Sequence, residues 1–331
     1  MGEIASLNLP WRTVPGIKPS AIAIADAENR IIGEFESAAQ ARYIAERCNA
    51  GADAAPVAKG QFVGERADMK AKTPVPVPGE QPRIALPQVT LCMIETREHA
   101  LAALAVWECI TRIEFGDVLI FTDKRAFFHG IPGARFVEVP DWPEKIGWSR
   151  CCWQELAPHL HTSHVLCIQW DSWVIDQGMW SNDWLAFDYI GAPWWYKDGM
   201  NVGNGGFSLR SAALMRHLRK HRDRYPCTSA LDDDLLCRGY RPRLMDEGFV
   251  WAPQETAFDF AFECVRPDPA RRHFGFHACF NFGLVLEPEP LAGRAAIMAR
   301  SKYITKTGHM WNNFVQANPE FKQLTAAAAA S

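Results

Sequence analysis

The run Val89-Thr90-Leu91-Cys92-Met93-Ile94-Glu95-Thr96 is the seed of this chain's fold. Its near-continuous apolar character is what a strand buried on both faces requires, and it ends on a carboxylate. Outward from it, apolar positions Leu101, Leu104, Ala105 and Cys109 recur at helical spacing and predict a helix over 98–113. Asp117-Val118-Leu119-Ile120-Phe121-Thr122-Asp123 reads as the next strand and Arg135-Phe136-Val137-Glu138-Val139 as a third. A helix over 149–159 then precedes His164-Val165-Leu166-Cys167-Ile168-Gln169-Trp170-Asp171. This alternation predicts an α/β fold, a mainly parallel sheet flanked by helices. In such sheets ligands sit at the carboxyl ends of the strands, where Glu95, Thr96, Asp123 and Asp171 all fall.

Composition narrows the function. The 35 basic and 38 acidic residues nearly cancel and form no long basic run, which argues against nucleic-acid partners. No apolar stretch approaches the ~20 residues of a membrane span. Residues 1–10 lack the basic start and apolar centre of a secretory signal. Both absences lead to the expectation of a cytoplasmic protein with its cysteines reduced. Adjacent Cys151 and Cys152 read as small buried apolar residues. The 13 tryptophans stand out, since an indole face suits both cores and sugar-binding surfaces.

The order of segments predicts four parts. Residues 1–51 form a small ββα module. Its strands are Ala21-Ile22-Ala23-Ile24-Ala25 and Arg30-Ile31-Ile32-Gly33-Glu34-Phe35, and a capping box at Ser37 and Gln40 opens a helix that Gly51 stops. Residues 52–84 are a Pro-rich linker. Residues 85–290 are the main domain. Residues 291–331 are a helical tail whose Ala326–Ala330 end frays. After Asp171 the pattern loosens, and we expect loops carrying aromatic and glycine motifs, with a short helix over 211–222.

Those loops hold the candidate chemistry. Asn201-Val202-Gly203-Asn204-Gly205-Gly206-Phe207-Ser208-Leu209-Arg210 allows close approach to the main chain, and it is neither a Walker loop nor a dinucleotide fingerprint. Its plainer reading is a tight turn with Phe207 and Leu209 in the core. Asp171 at a strand end should meet water, a cation or a polar ligand, or else cap backbone N–H groups. Asp232-Asp233-Asp234 can bind a cation or supply a general base, or simply start a helix. His277, four residues after His273, can be a metal ligand or a phosphate donor, or structural. His159, His161 and His164 read as a solvated loop.

Taken together, Ile168-Gln169-Trp170-Asp171-Ser172, Trp184, Asp188-Tyr189-Ile190-Gly191-Ala192-Pro193-Trp194, Val202 to Arg210, Asp232-Asp233 and Phe274-Gly275-Phe276-His277 resemble a family. It is a bacterial group of glycosyltransferases classed as a domain of unknown function, with a GT-A-type nucleotide-sugar fold. The resemblance covers roughly residues 89–282. It implies a nucleotide-sugar donor bound near Glu95, Thr96, Asp123 and Asp171. It also implies an acceptor or sugar pocket shaped by Trp194, Gly203, Asn204, Gly205 and Gly206. Asp171 stands where GT-A enzymes place the first aspartate of Asp-x-Asp, and the second position is Trp173. A divalent cation, Mn²⁺ or Mg²⁺, would then rest on Asp171, His277 and the donor diphosphate. Asp233, or its neighbour Asp232, takes the place of the catalytic base. The first 80 residues lie outside the resemblance, and their hairpin–helix pattern is similar to small modules of phage-encoded proteins.

The leading expectation is therefore a hexosyltransferase-like enzyme acting on a glycan or other small acceptor. The alternative is a non-catalytic sugar- or nucleotide-binding module of the same fold in a larger, phage-related assembly. A metal hydrolase built on the His and Asp clusters is a third reading, and no converging ligand set can be assembled for it from spacing.

Overall fold

The computed structural model describes residues 12–15, 22–25, 31–35, 79, 81–142, 146–196, 198–228, 232–266 and 268–324. The expected helix after Ser37, nearly all of the linker and the Ala326–Ala330 end lie outside these. The chain divides into two compact units: residues 81–127 with 133–279, and residues 1–80 with 128–132 and 280–331.

In the second of these, β1 (Arg12–Pro15), β2 (Ile22–Ala25) and β3 (Ile31–Phe35) form an antiparallel sheet in that order. The hairpin of β2 and β3 was legible, whereas β1, in a stretch without alternation, was not. The same unit ends in helices Pro288–Arg300, Lys302–Thr307 and His309–Ala317.

The larger unit is built on six strands. They are β4 (Ile84–Glu95), β5 (Ile113–Thr122), β6 (Ala134–Glu138), β7 (His164–Ile168), then β9 (Tyr189–Gly191) and β10 (Phe207–Ser211). Their order across the sheet is β6-β5-β4-β7-β10-β9. The pairs β6–β5, β5–β4 and β4–β7 are parallel, while β7–β10 and β10–β9 are antiparallel. The sheet is thus mainly parallel and flanked by helices. Two of its strands, β9 and β10, come from the segment expected to be loop. They are short, and Phe207-Ser208-Leu209-Arg210-Ser211 places polar side chains in fully buried positions.

The chain winds outward from β4 to β5 and β6, then returns to the other side of β4 as β7. That reversal puts a topological switch point between the carboxyl ends of β4 and β7, where a crevice forms in open α/β sheets. Helix His99–Ile110 crosses from β4 to β5, and all of it except Ala100 is buried. The single apolar face expected from spacing is exceeded because a second, small sheet lies nearby. The Val174 N–H reaches Cys109 Sγ at 3.4 Å. That sheet has β8 (Trp173–Val174), β11 (Ala261–Phe262) and β12 (Gly275–Phe276), with β12 central, parallel to β11 and antiparallel to β8. The helix expected over 149–159 is three pieces: an α-turn Ile146–Arg150, a π-turn Cys151–Glu155 and a 3₁₀ turn Ala157–His159. Cys151 and Cys152, which open the π-turn, are free and buried in the core.

Candidate functional site

Strand register brings the distant motifs together. In the antiparallel pair of β7 and β10, Phe207 faces Ile168, so the glycine turn lies beside the residues that follow β7. The Gln169 N–H donates to the Gly206 carbonyl at 3.0 Å, and Ser172 Oγ donates to the same carbonyl at 2.6 Å. In the small sheet, Phe276 pairs with Trp173 and with Phe262. His277 and Glu263, each one residue past the end of its strand, therefore sit beside each other and beside Asp171. Their contacts follow: His277 Nδ1 to Glu263 Oε1 is 3.0 Å, His277 Nε2 to Asp171 Oδ1 is 3.5 Å, and Asn204 Nδ2 to His277 Nδ1 is 3.0 Å. The acidic stretch arrives from the other side, where the Gly205 N–H donates to Asp233 Oδ2 at 2.9 Å.

Charge is distributed unevenly in this cluster. Asp171 is 8 % exposed, and its Oδ2 accepts the Cys279 N–H at 3.1 Å. Its Oδ1 has no hydrogen-bond partner among the described residues, because 3.5 Å to His277 is too long for a good bond. Burial opposes charge on His277, but the carboxylates of Asp171 and Glu263 outweigh it and raise its pKa to about 10. Glu263 shows the reverse: burial pushes its carboxyl up, and the hydrogen bond and charge of His277 bring it below the usual range. The His277 and Glu263 side chains each keep 17 % exposure, so the cluster meets solvent on that edge.

The glycines serve close approach, and the protein's own side chains occupy the space they leave. A Cβ on Gly203 would lie 2.0 Å from the Trp194 ring, and one on Gly206 would lie 2.1 Å from His277 Nε2. The left-handed backbone in this turn belongs to Asn204, at φ 72°. Asn204 stabilises that conformation by accepting the Gly206 and Phe207 N–H groups on Oδ1, and its carbonyl accepts Tyr189 Oη–H at 2.8 Å. Trp194 is a buried wall, whereas its neighbour Trp195 is 60 % exposed and packs beside Tyr196.

Beneath the turn lies Arg210, fully buried on β10. Its guanidinium reaches Asp232 Oδ2 at 3.4 Å, Ser208 Oγ at 3.0 Å and Cys152 Sγ at 3.1 Å, with the Gly205 carbonyl at 3.5 Å. Asp232 is thus held in a buried ion pair, while Asp233 is half-buried at the rim.

Glu95, Thr96 and Asp123 form a second group at the same strand ends. Glu95 Oε1 accepts the N–H groups of Thr96, Arg97 and Glu98 and so fixes the turn that leads from β4 into helix His99–Ile110. Burial raises the Glu95 pKa, and those three N–H groups oppose the rise. Asp123 Oδ1 meets His99 Nε2 at 2.6 Å. Sequence reasoning missed Glu263, Arg210 and His99. Glu263 is a carboxylate between Ala261-Phe262 and Cys264-Val265, a signal that could have exposed it, whereas Arg210 and His99 stand among polar neighbours and carry no such signal. His164, expected in a solvated loop, is buried in β7 and bonded to Ser163 Oγ and the Phe187 carbonyl.

Among the described residues, no group of three or more His, Cys, Asp or Glu side chains is arranged to hold an ion. The orphaned Asp171 Oδ1 gives a hard cation one protein contact; His277 could add a second only as the neutral imidazole, which the two carboxylates beside it disfavour, so phosphate and water oxygens would have to supply the rest.

Residues 145–277, which contain Asp171, the glycine turn, Asp233, Glu263 and His277, match the family model described as a protein of unknown function (DUF5672). No curated protein matches the sequence. Solved structures are similar at low level, and three of them are the following. A glycosyltransferase involved in glycosylation of the major capsid of PBCV-1 has TM-score 0.38 and 12% identity, covering 58% of this chain and 92% of its own. An active-site mutant of LgtC has TM-score 0.39 and 15% identity, covering 62% and 95%. The mannosyltransferase PcManGT from Pyrobaculum calidifontis, in complex with GDP-Man and Mn2+, has TM-score 0.36 and 14% identity, covering 88% and 82%. At these TM-scores the likenesses add nothing to what the geometry argues.

Proposed function

We propose that this chain is a glycosyltransferase of GT-A type, moving a sugar from a nucleotide-sugar donor to a glycan or other small acceptor. The observation that carries the proposal is the meeting of Asp171, the Gly203–Gly206 turn and Asp233 beside the switch point of the sheet. The nucleotide lies along Glu95, Thr96 and Asp123. The diphosphate faces Asp171 and His277, where the imidazolium offers an N–H donor to phosphate oxygens. A divalent cation, with Asp171 Oδ1 as its protein ligand and His277 joining it only as the neutral imidazole, would neutralise charge on the departing diphosphate. Trp194, Gly203, Asn204, Gly205 and Gly206 wall the sugar and acceptor side.

Asp233 acts as base. One of its oxygens accepts the Gly205 N–H and the other the Asp234 N–H, which fixes the carboxylate while leaving lone pairs for a third donor. It takes the acceptor hydroxyl proton as that oxygen bonds to the anomeric carbon. The bond from that carbon to the diphosphate breaks, and the nucleoside diphosphate leaves with the electron pair. Such a single displacement inverts the anomeric centre. Asp232, spent on Arg210, is the lesser candidate.

The non-catalytic binding module remains the second reading, favoured by the occupied glycine spaces at Gly203 and Gly206. A thermal-shift screen of nucleotide sugars, with and without Mn²⁺, tests ligand binding for both. At ~100 times its dissociation constant a ligand adds roughly 2.7 kcal/mol. Release of nucleoside diphosphate separates them: an enzyme releases it, and a pure binder does not.

A further inference from the structure

The opposite end of β7 carries a separate constellation. Helix Ala212–Lys220 buries Ala212, Leu214, Met215 and Leu218 and leaves Arg216, Arg219 and Lys220 exposed on its outer face. Both arginines are anchored across a gap to main-chain carbonyls. Arg216 Nη2 donates to the Leu160 carbonyl at 3.0 Å, and Arg219 Nη1 donates to the Gln154 carbonyl. Between the helix and the 3₁₀ turn Ala157–His159 lies a shallow cavity of about 510 Å³, open to solvent. Ala157, Pro158 and Leu160 line it together with Arg216, Arg219, Lys220 and Arg222.

The charge there is out of proportion to the molecule. Four of the lining residues are cationic in a chain whose net charge is −3. Among the described residues, the acid in ion-pair contact with them is Glu155, 3.6 Å from Arg219 and 62 % exposed. Guanidinium groups tethered at one edge present a fixed donor fork, the geometry that matches phosphate oxygens. The cavity is not the donor site seen from behind. It adjoins residues before the start of β7 and Asp171 follows the strand's end, so a five-residue strand of ~3.3 Å rise per residue separates them.

We propose that this cavity binds phosphate groups, carried either by a soluble phosphorylated molecule or by the headgroups of an anionic lipid surface. Arg216 and Arg219 form the fixed wall, and Lys220 and Arg222 close over the anion. The site is independent of glycosyl transfer.

The test uses the full chain and the charge-reversal variant Lys220→Glu/Arg222→Glu. Inorganic pyrophosphate binding is measured by calorimetry, and vesicle binding by flotation with phosphatidylcholine alone and with 30 mol% phosphatidylglycerol. Binding that weakens about tenfold or more in the variant, and that falls with added salt, supports the site. Pyrophosphate as the sensitive ligand identifies a soluble source, and vesicles containing phosphatidylglycerol identify a lipid source. Failure of both probes to bind, or equal binding by the variant, overturns the proposal. Nucleoside diphosphate release from a nucleotide sugar stays unchanged in the variant, which keeps failure here distinct from failure of the transferase reading.

Discussion

Single residues carry the sharpest expectations. Asp233→Asn retains the bond from Gly205 but removes the base, so turnover falls by about 10²–10⁴-fold while donor affinity in the thermal-shift assay is kept. Full activity in that variant would eliminate Asp233 as base. Gly206→Ala sets a methyl 2.1 Å from His277 Nε2 and must displace the imidazole from Asp171. We expect loss of donor binding and a stability loss of about 1–3 kcal/mol by denaturant titration. A wild-type profile would show that the close approach is dispensable. His273 supplies a pH dependence away from the cluster. It is buried with Nδ1 on the Phe258 carbonyl, and burial lowers its pKa from 6.5 to about 4. The unfolded chain then binds more protons between these values, so the fold loses stability as pH falls from about 6.5 to about 4 and loses no more from this group below that. The full effect is about 3 kcal/mol. His273→Gln flattens that part of the stability–pH curve, and an unchanged slope would refute the assignment.

At the scale of elements, β10 is the piece on which the site depends. It carries Arg210 into the core, aligns the glycine turn with the end of β7 and bridges β7 to β9. Arg210→Met leaves Asp232 without the guanidinium that faces it in the interior. The cost is about 3 kcal/mol, read as a lowered denaturation midpoint. A loss below ~1 kcal/mol would mean that other contacts carry Asp232. The parallel strands β4 and β7 and the second half of β5 were legible because burial on both faces writes a continuous apolar run, while β6, a half-buried edge strand, showed itself only through its short Phe136-Val137 pair between charged residues. β10 was not, since its polar Ser208 and Arg210 are buried yet paired internally, and pairing is invisible to a hydrophobicity pattern. β8, β11 and β12 are too short to show any period. Yet they place His277 and Glu263 beside Asp171, so Asp171 and His277 could be guessed by motif while Glu263 and the wiring of the cluster could not.

For the molecule as a whole, the topology explains why motifs spread over a hundred residues converge. The reversal of winding at β4 puts the end of β7 at a switch point of the sheet, and the small sheet brings His277 and Glu263 beside Asp171 there. What the sequence could not state is where the glycine spaces go: Trp194 and His277 fill them. Whether the cluster works on a sugar is decided most directly by nucleoside diphosphate release. The assay takes a panel of uridine, guanosine, cytidine, adenosine and thymidine diphosphate sugars, with Mn²⁺, and compares the wild-type chain with Asp171→Asn. The account predicts release from at least one donor by the wild type and a loss of about 10²-fold or more in the variant. Release that is equal in the two proteins, or absent across the panel, contradicts it.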